Sequence, residues 1–315
     1  MTVIPVSQRL SDLGYAAGWR VVRALPEAMA RNVFDRGADY ATRKGGPEQL
    51  RRNLARVVGV EPKDVPSELI SASVRSYARY WREAFRLPTM DHAAIATSPR
   101  YLIDGEEYLI AALERGKGVI LALPHSGNWD IAGVWLVHHY GSFSTVAERL
   151  KPESLFERFV AYREGLGFEV FPLTGGEAPP FRQLTERLRN NQIVCLLGDR
   201  DLSSRGIEVD FFGARTRMPA GPAQLAIETG ATLLAVHPWF TVDADGQEGW
   251  GLKADPPIDV SVGVEVAIQA LADRFAANIA AHPADWHMLQ PLWLDDLSDA
   301  RRARIGANKP KQAAP

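Results

Sequence analysis

Hydrophobic positions in the first hundred residues recur at three- and four-residue spacings, which predicts helices. Leu10 to Leu25 and Glu27 to Lys44 form two such segments, with Pro26 where a helix start tolerates proline. Gly45-Gly46-Pro47 breaks the pattern and Glu48 to Val58 resumes it. A longer helix is expected from near Pro66 to Arg86, stopped by Pro88. In it, Arg75, Arg79, Arg82 and Arg86 are spaced by four, three and four residues. At about 100° per residue they share a stripe roughly 60° wide. Val74, Tyr77, Tyr80, Trp81 and Phe85 fill the remaining circumference. A basic, aromatic-rich helix of this kind suits an anionic membrane surface; the alternative is a packed helix with a solvated arginine face.

From residue 100 the period changes. Short apolar runs at 118–123, 143–147, 168–173, 193–197 and 232–237 alternate with helical patterns at about 128–140, 151–165, 180–190 and 220–229. Such alternation implies βαβ units. The expected fold is α/β: a mostly parallel central sheet with helices on both faces, carrying an N-terminal helical layer. The segments 207–213 and 249–254 read as additional, antiparallel strands, and a last helix is expected from Val264 to Ala281.

Composition narrows the function. With 46% hydrophobic and 23% charged residues in 315, the chain is a folded globular protein. Its one cysteine, Cys195, excludes an internal disulfide and multi-cysteine metal clusters and fits a reducing compartment. No run approaches the ~18 apolar residues of a membrane span, and the first residues lack a signal-peptide core, so neither secretion nor membrane spanning is expected. Lys and Arg number 36 against 38 Asp and Glu, a near balance that argues against nucleic acid as a partner. The balance hides an asymmetry: 16 against 10 in the first hundred residues, 20 against 28 in the rest.

Sites in parallel sheets lie beyond the carboxyl ends of the strands. There, after the 118–123 run, the sequence reads His125-Ser126-Gly127-Asn128-Trp129-Asp130. The strand fixes the imidazole, Gly127 lets the chain turn, and Asp130 falls in the next helix's first turn, where its carboxylate can hold one ring nitrogen. The other nitrogen is then free to take a proton from a hydroxyl. Backbone N–H groups around Gly127 and Asn128 are candidates for stabilising an oxyanion. A structural role for His125 is the competing reading. A metal site lacks further ligands, and neither a dinucleotide fingerprint nor a P-loop is present. Ser126 lacks the Gly-X-Ser-X-Gly elbow, and Cys195, inside a strand, reads as a buried small hydrophobe. His138 and His139 read as helix-end residues, and His237, His282 and His287 as core or surface residues.

HSGNWD also fits the His-X4-Asp motif of the glycerolipid and lysophospholipid acyltransferases, which the chain resembles. LGDRDL (197–202) and MPAGPAQLAIETGATLLAV (218–236) are similar to blocks of the lipid A lauroyl/myristoyl branch, and Arg163 occupies the place of its arginine before the Gly-Phe strand. LPHSGNWD, TVAERLKPESL, EVDFFG and DRFAANIAAHPADWHMLQP look like the actinobacterial phosphatidylinositol mannoside acyltransferases, and YAAGWRVVRALPE and GGPEQLRRNLARV extend that likeness over nearly the whole chain.

The resemblance implies transfer of a palmitoyl chain from acyl-CoA, a cosubstrate and not a resident cofactor, to a mannose 6-hydroxyl of a phosphatidylinositol mannoside. His125 would be the general base, Asp130 its orienting acid and Asp199 a second carboxylate. Asp199 stands where the subgroup can carry glutamate, one methylene longer. Ser126, Gly127, Asn128, Glu148, Arg163 and Arg200 are the candidate substrate-binding residues; Arg163 would pair with a carboxylate such as Glu148, or with a phosphate. Residues 1–99 would form a membrane-facing layer, with Arg75, Arg79, Arg82 and Arg86 on the surface. Residues 100–305 would form the catalytic core and 306–315 a disordered tail. The expected place is the cytoplasmic face of the plasma membrane, peripherally attached. Another lipid acceptor, a thioesterase, and a non-catalytic lipid-binding protein are the alternatives.

Overall fold

The computed structural model describes residues 19–149, 153–176 and 178–306. The predicted helix over 10–25 is thus described only from residue 19, and all of the predicted tail except Gly306 lies outside the described residues.

The helical layer comprises α1 (Glu27–Thr42), α2 (Glu48–Val58), α3 (Ser67–Arg86) and the short α4 (His92–Ala96). The body then runs β1 (Tyr101–Asp104), α5 (Glu106–Glu114), β2 (Val119–Leu123), α6 (Trp129–Tyr140), β3 (Ser144–Ala147) and α7 (Glu153–Glu164). It continues with β4 (Glu169–Pro172), α8 (Pro180–Arg189), β5 (Ile193–Leu197), β6 (Ile207–Phe211), β7 (Ala214–Met218) and α9 (Gly221–Thr229). It ends with β8 (Thr232–Val242), β9 (Glu248–Ala254), α10 (Val264–Ala281) and α11 (Asp299–Arg304). Among the described residues no helix is long and apolar enough to cross a membrane.

Seven strands form one sheet in the order β1-β9-β8-β2-β5-β3-β4, parallel except for the antiparallel pair β8/β9. β2 lies between β5 and β8, and all five of its residues are buried, as a central strand covered on both faces requires. β8 runs longer than its apolar stretch predicts because residues 236–242 pair with β9 after the chain leaves the core. The segment 207–213 turns back on itself, and β6 pairs antiparallel with β7, a strand its alternating Arg and Thr residues concealed. The sequence pattern also missed β1, α5 and α11, all short or mixed in polarity.

The arginine stripe of α3 requires a correction. Arg79 and Arg82 are buried at 7% and 1% exposure, and only Arg75 stands in solvent, paired with Asp39 at 2.6 Å. α3 is wedged between α1 and the β8–β9 ribbon. Arg79 donates to Glu83 (2.8 Å) and to the carbonyl of Gly249 (2.7 Å), and lies 4.1 Å over the Phe240 ring. Arg82 pairs with Glu248, and Arg86 pairs with Glu27 (2.9 Å) and donates to the carbonyl of Val22. Periodicity correctly puts these cations on one face; the structure covers that face with acids and carbonyls. Such buried, paired guanidiniums fix the layer to the body.

Candidate active site

β2 ends at Leu123, and the chain turns through Pro124 into the His125 loop before α6 begins. Gly127 makes this turn at φ +52°, and a Cβ there would lie 2.6 Å from the carbonyl oxygen of Pro238, so only glycine fits against β8. Asn128 caps the helix: its Oδ1 accepts the N–H groups of Asp130 and Ile131, both at 3.1 Å. Its Nδ2 donates to Glu83 at 2.8 Å. The cap therefore ties the loop to α3.

At the neighbouring strand end, Asp199 follows β5 and is fully buried. Its Oδ1 lies 2.6 Å from His125 Nδ1, while its Oδ2 accepts the backbone N–H of His125 and the indole N–H of Trp286, both at 3.0 Å. Burial works against charge on this carboxyl, but the His125 imidazole and these hydrogen bonds outweigh it and hold Asp199 below the usual aspartate range. An ionised Asp199 places the ring proton on Nδ1 and leaves the Nε2 lone pair with no hydrogen bond among the described residues, on a side chain 34% exposed. The shorter aspartate reaches the imidazole without the extra methylene.

Asp130 does not hold His125, contrary to the reading by spacing. Its Oδ1 accepts from Arg163 Nε at 3.0 Å and its Oδ2 from the Tyr80 hydroxyl at 3.3 Å. With Asn128 as the cap, Trp129 takes the place beside the imidazole, edge-on at 5.6 Å, and Asp130 turns toward α7 and α3. Burial opposes the charge on Arg163, but Asp130 more than offsets it and raises the guanidinium's pKa further. Burial and the Asp130 charge likewise push the Tyr80 hydroxyl well above the tyrosine range. Arg163 is thus committed to Asp130 rather than to Glu148 or a phosphate. Glu148 is exposed at the end of β3.

Two of the loop's backbone donors are committed, while the buried Ser126 hydroxyl has no hydrogen-bond partner among the described residues. The Gly127 N–H donates to the Asp285 carbonyl at 2.9 Å and the His125 N–H is held by Asp199, so neither faces an oxyanion. Ser126 and Asn128 are buried, at 0% and 2% exposure. A segment the pattern gave no reason to select braces the loop from outside. Ser126 bridges to Trp286, and the His287 N–H donates to the His125 carbonyl at 2.7 Å. His287 lies 2.9 Å from the Ser76 hydroxyl, which donates to Asp285 at 2.7 Å. Burial, then the nearby His125, push His287 down to about 3, so its ring stays neutral. The signal for this brace was the resemblance of ADWHMLQP, not periodicity.

Beside Trp129 an apolar cavity opens between the sheet and α6, lined among others by Leu121, Leu123, Phe168, Leu197 and Leu252, with Asp130 and Arg163 in its wall. Cys195 also lines it, and burial pushes its thiol far up, so it stays protonated. The structure thus brings together His125 and Asp199, sets Trp129 between the imidazole and the apolar slot, and pairs Asp130 with Arg163 in the slot wall.

A sequence model of the bacterial lipid A biosynthesis acyltransferases matches residues 6–295. Two relatives named phosphatidylinositol mannoside acyltransferase are similar over almost their full length. The one from Mycolicibacterium smegmatis (strain ATCC 700084 / mc(2)155) is 66% identical over 304 residues, covering 96% of this chain and 98% of the relative. The one from Mycobacterium tuberculosis (strain CDC 1551 / Oshkosh) is 62% identical over 301 residues, 95% of this chain and 94% of the relative.

Proposed function

The chain belongs to the bacterial lipid A biosynthesis acyltransferase family, and we propose that it acts on phosphatidylinositol mannosides, transferring a palmitoyl group from acyl-CoA to the 6-hydroxyl of a mannose. His125 Nε2 takes the proton of the hydroxyl as the sugar oxygen attacks the thioester carbonyl. The tetrahedral intermediate collapses, the carbon–sulfur bond breaks, and the imidazolium returns the proton to the departing sulfur, which leaves as the free thiol of CoA. Asp199 keeps the ring in its Nδ1–H form and stabilises the imidazolium without being protonated itself. No residue of the chain is acylated. The palmitoyl chain occupies the slot beside Trp129, where each methylene removed from water contributes about 0.8 kcal/mol.

The observation that carries this reading is the 2.6 Å Asp199–His125 contact at the end of β2, next to Trp129, whose ring lines the apolar slot. In this reading Asp130 and Arg163 hold the helix start and the slot wall, not the reacting atoms. The helical layer of residues 19–99 faces the cytoplasmic surface of the plasma membrane through α1 rather than through the arginines of α3. The outer face of α1 supports this: Met29, Val33 and Tyr40 are 54%, 56% and 71% exposed, with the Arg43 guanidinium 5.2 Å over the Tyr40 ring.

The test is mass spectrometry of products formed from palmitoyl-CoA and purified mannosides. Wild-type protein is expected to give a product heavier by one palmitoyl group, and His125→Ala to give none. Full activity in that variant would overturn the mechanism.

A further inference from the structure

The β6–β7 hairpin, which follows Asp199 in the chain, closes on a two-residue turn. Phe211 pairs with Ala214, so Phe212 and Gly213 are the two central residues, at φ +52° and +71°. Positive φ at both places marks a type I′ turn, whose first place suits asparagine, aspartate or glycine. Here it holds a phenylalanine. Of the two described residues other than glycine with positive φ, Asn191 is of a type that tolerates it and Phe212 is not. A residue strained in this way persists only where its surroundings fix it, and such residues cluster at functional sites.

The hairpin is fixed from two sides. Gln269 of α10 accepts the Asp210 N–H and donates to the Asp210 carbonyl, both at 2.9 Å. Trp293 Nε1 donates to the Phe211 carbonyl at 2.8 Å, and the Thr216 hydroxyl to the Leu292 carbonyl at 2.7 Å. With the backbone held there, the half-buried Phe212 ring lies against Phe211, centroids 4.6 Å apart, and against Trp286 at 6.4 Å. Phe211 and Trp293 meet Trp286 edge-on at 5.9 and 6.0 Å. The buried indole thus touches three aromatic rings, and its N–H donates to Asp199 Oδ2 at 3.0 Å. Arg200, next after Asp199, is half-buried and makes none of these contacts.

We propose that Phe212 is a positioning residue for acyl transfer: the strained turn seats its ring on Trp286 and so holds the indole N–H on Asp199. The inference rests on the function proposed above, in which Asp199 orients His125. Asp199 Oδ2 has two donors, the His125 N–H and the indole. The first comes with the His125 loop; the second depends on where the Trp286 side chain lies. An asparagine at 212 would suit the turn better, so the ring contact is what the phenylalanine supplies at the cost of strain. An N–H donor stabilises a carboxylate most when the imidazole beside it is neutral. Its loss therefore raises the proton affinity of the pair and moves the acid limb of the rate profile to higher pH.

The test uses the full chain with isotope-labelled tryptophan and nuclear magnetic resonance. The indole N–H signal of Trp286 is identified by its disappearance in Trp286→Phe, and Asp199→Asn is expected to shift it. Phe212→Asn is expected to shift it too, with a urea midpoint near or above wild type because the turn is relieved. In transfer assays Phe212→Asn and Trp286→Phe should each lower kcat about tenfold, the scale of one hydrogen bond to a charged group, with KM nearly unchanged. Both should move the acid limb of the kcat/KM profile to higher pH. Phe212→Tyr, which keeps the ring, should recover most of the loss, and Phe212→Leu, which keeps apolar packing, should show the same changes to a smaller degree. In a Trp286→Phe background, Phe212→Asn should lower kcat no further. An unmoved indole signal in Phe212→Asn, or kcat and pH profile at wild-type values, would overturn the positioning role. Full, independent losses in the double variant would overturn it as well. A wild type that transfers nothing would instead overturn the acyl-transfer reading, and the indole signal alone would then decide whether Phe212 holds Trp286 on Asp199.

Discussion

Asp130 and Asp199 are both buried carboxylates near one histidine, and they differ in what surrounds them. Asp199 meets the imidazole and backbone N–H of His125 across the carboxyl ends of two adjacent parallel strands, and the indole N–H of Trp286 from the segment after α10. Asp130, five residues from His125 in sequence, meets Arg163 of α7 and Tyr80 of α3. The carboxylate 74 residues away is the one in contact. Strand ends converge in a parallel sheet regardless of sequence distance, whereas a helix's first turn points wherever its packing partners lie.

The sharpest way to break that comparison is to remove each charge at constant shape. Asp199→Asn is expected to lower kcat by about 10³–10⁴-fold, the scale for losing the orienting acid of such a base, and to alter the pH–rate profile. Asp130→Asn is expected to act on folding instead. It leaves Arg163 buried without its partner, a loss of about 3–5 kcal/mol in denaturant titrations, while the pH–rate profile of the surviving folded enzyme keeps its shape. A profile displaced by Asp130→Asn and unmoved by Asp199→Asn would reverse the assignment.

The brace offers a smaller, pH-dependent effect. His287 and His237 are both held down to about 3 by burial, below their ordinary value. Between pH 6.5 and about 3 the unfolded chain therefore binds more protons than the folded one, and stability falls as pH falls through that window. Each histidine contributes a slope of up to about 1.4 kcal/mol per pH unit. His237→Phe, remote from the His125 loop's hydrogen bonds, should remove about half of it in urea titrations at pH 7 and pH 5. An unchanged slope would place the acid sensitivity elsewhere.

The smallest effect belongs to the surface. Arg75→Glu should leave stability within about 0.5 kcal/mol and vesicle binding unchanged, because its ion pair is exposed. Val33→Asp on α1 should weaken sedimentation with anionic vesicles. Equal loss from both would return the α3 stripe to the membrane surface.

How much of this was legible follows from the same contrast. The β2 run, the turn at Gly127 and the histidine at the strand end stood in the sequence because local periodicity and turn chemistry encode them. The α3 stripe was legible as a face, but period alone does not say whether water, lipid or Glu248 covers it. The partners of Asp130 were illegible because they come from α3 and α7, and Asp285-Trp286-His287 carries no period to mark it. Asp199 was found only through a resemblance that placed an acidic block at a strand end.

The burial of Arg82 has a consequence for the order in which the chain matures. Its partner Glu248 lies 166 residues downstream, and the carbonyl that receives Arg79 lies 170 residues downstream. During synthesis the helical layer leaves the ribosome long before either exists, so α3 must wait in a loosely held, water-exposed state. Because Glu83 also anchors the cap of α6, that late docking event completes the support of the His125 loop. Nascent or truncated chains ending before β9 therefore emerge with His125 encoded but its loop not yet fully supported.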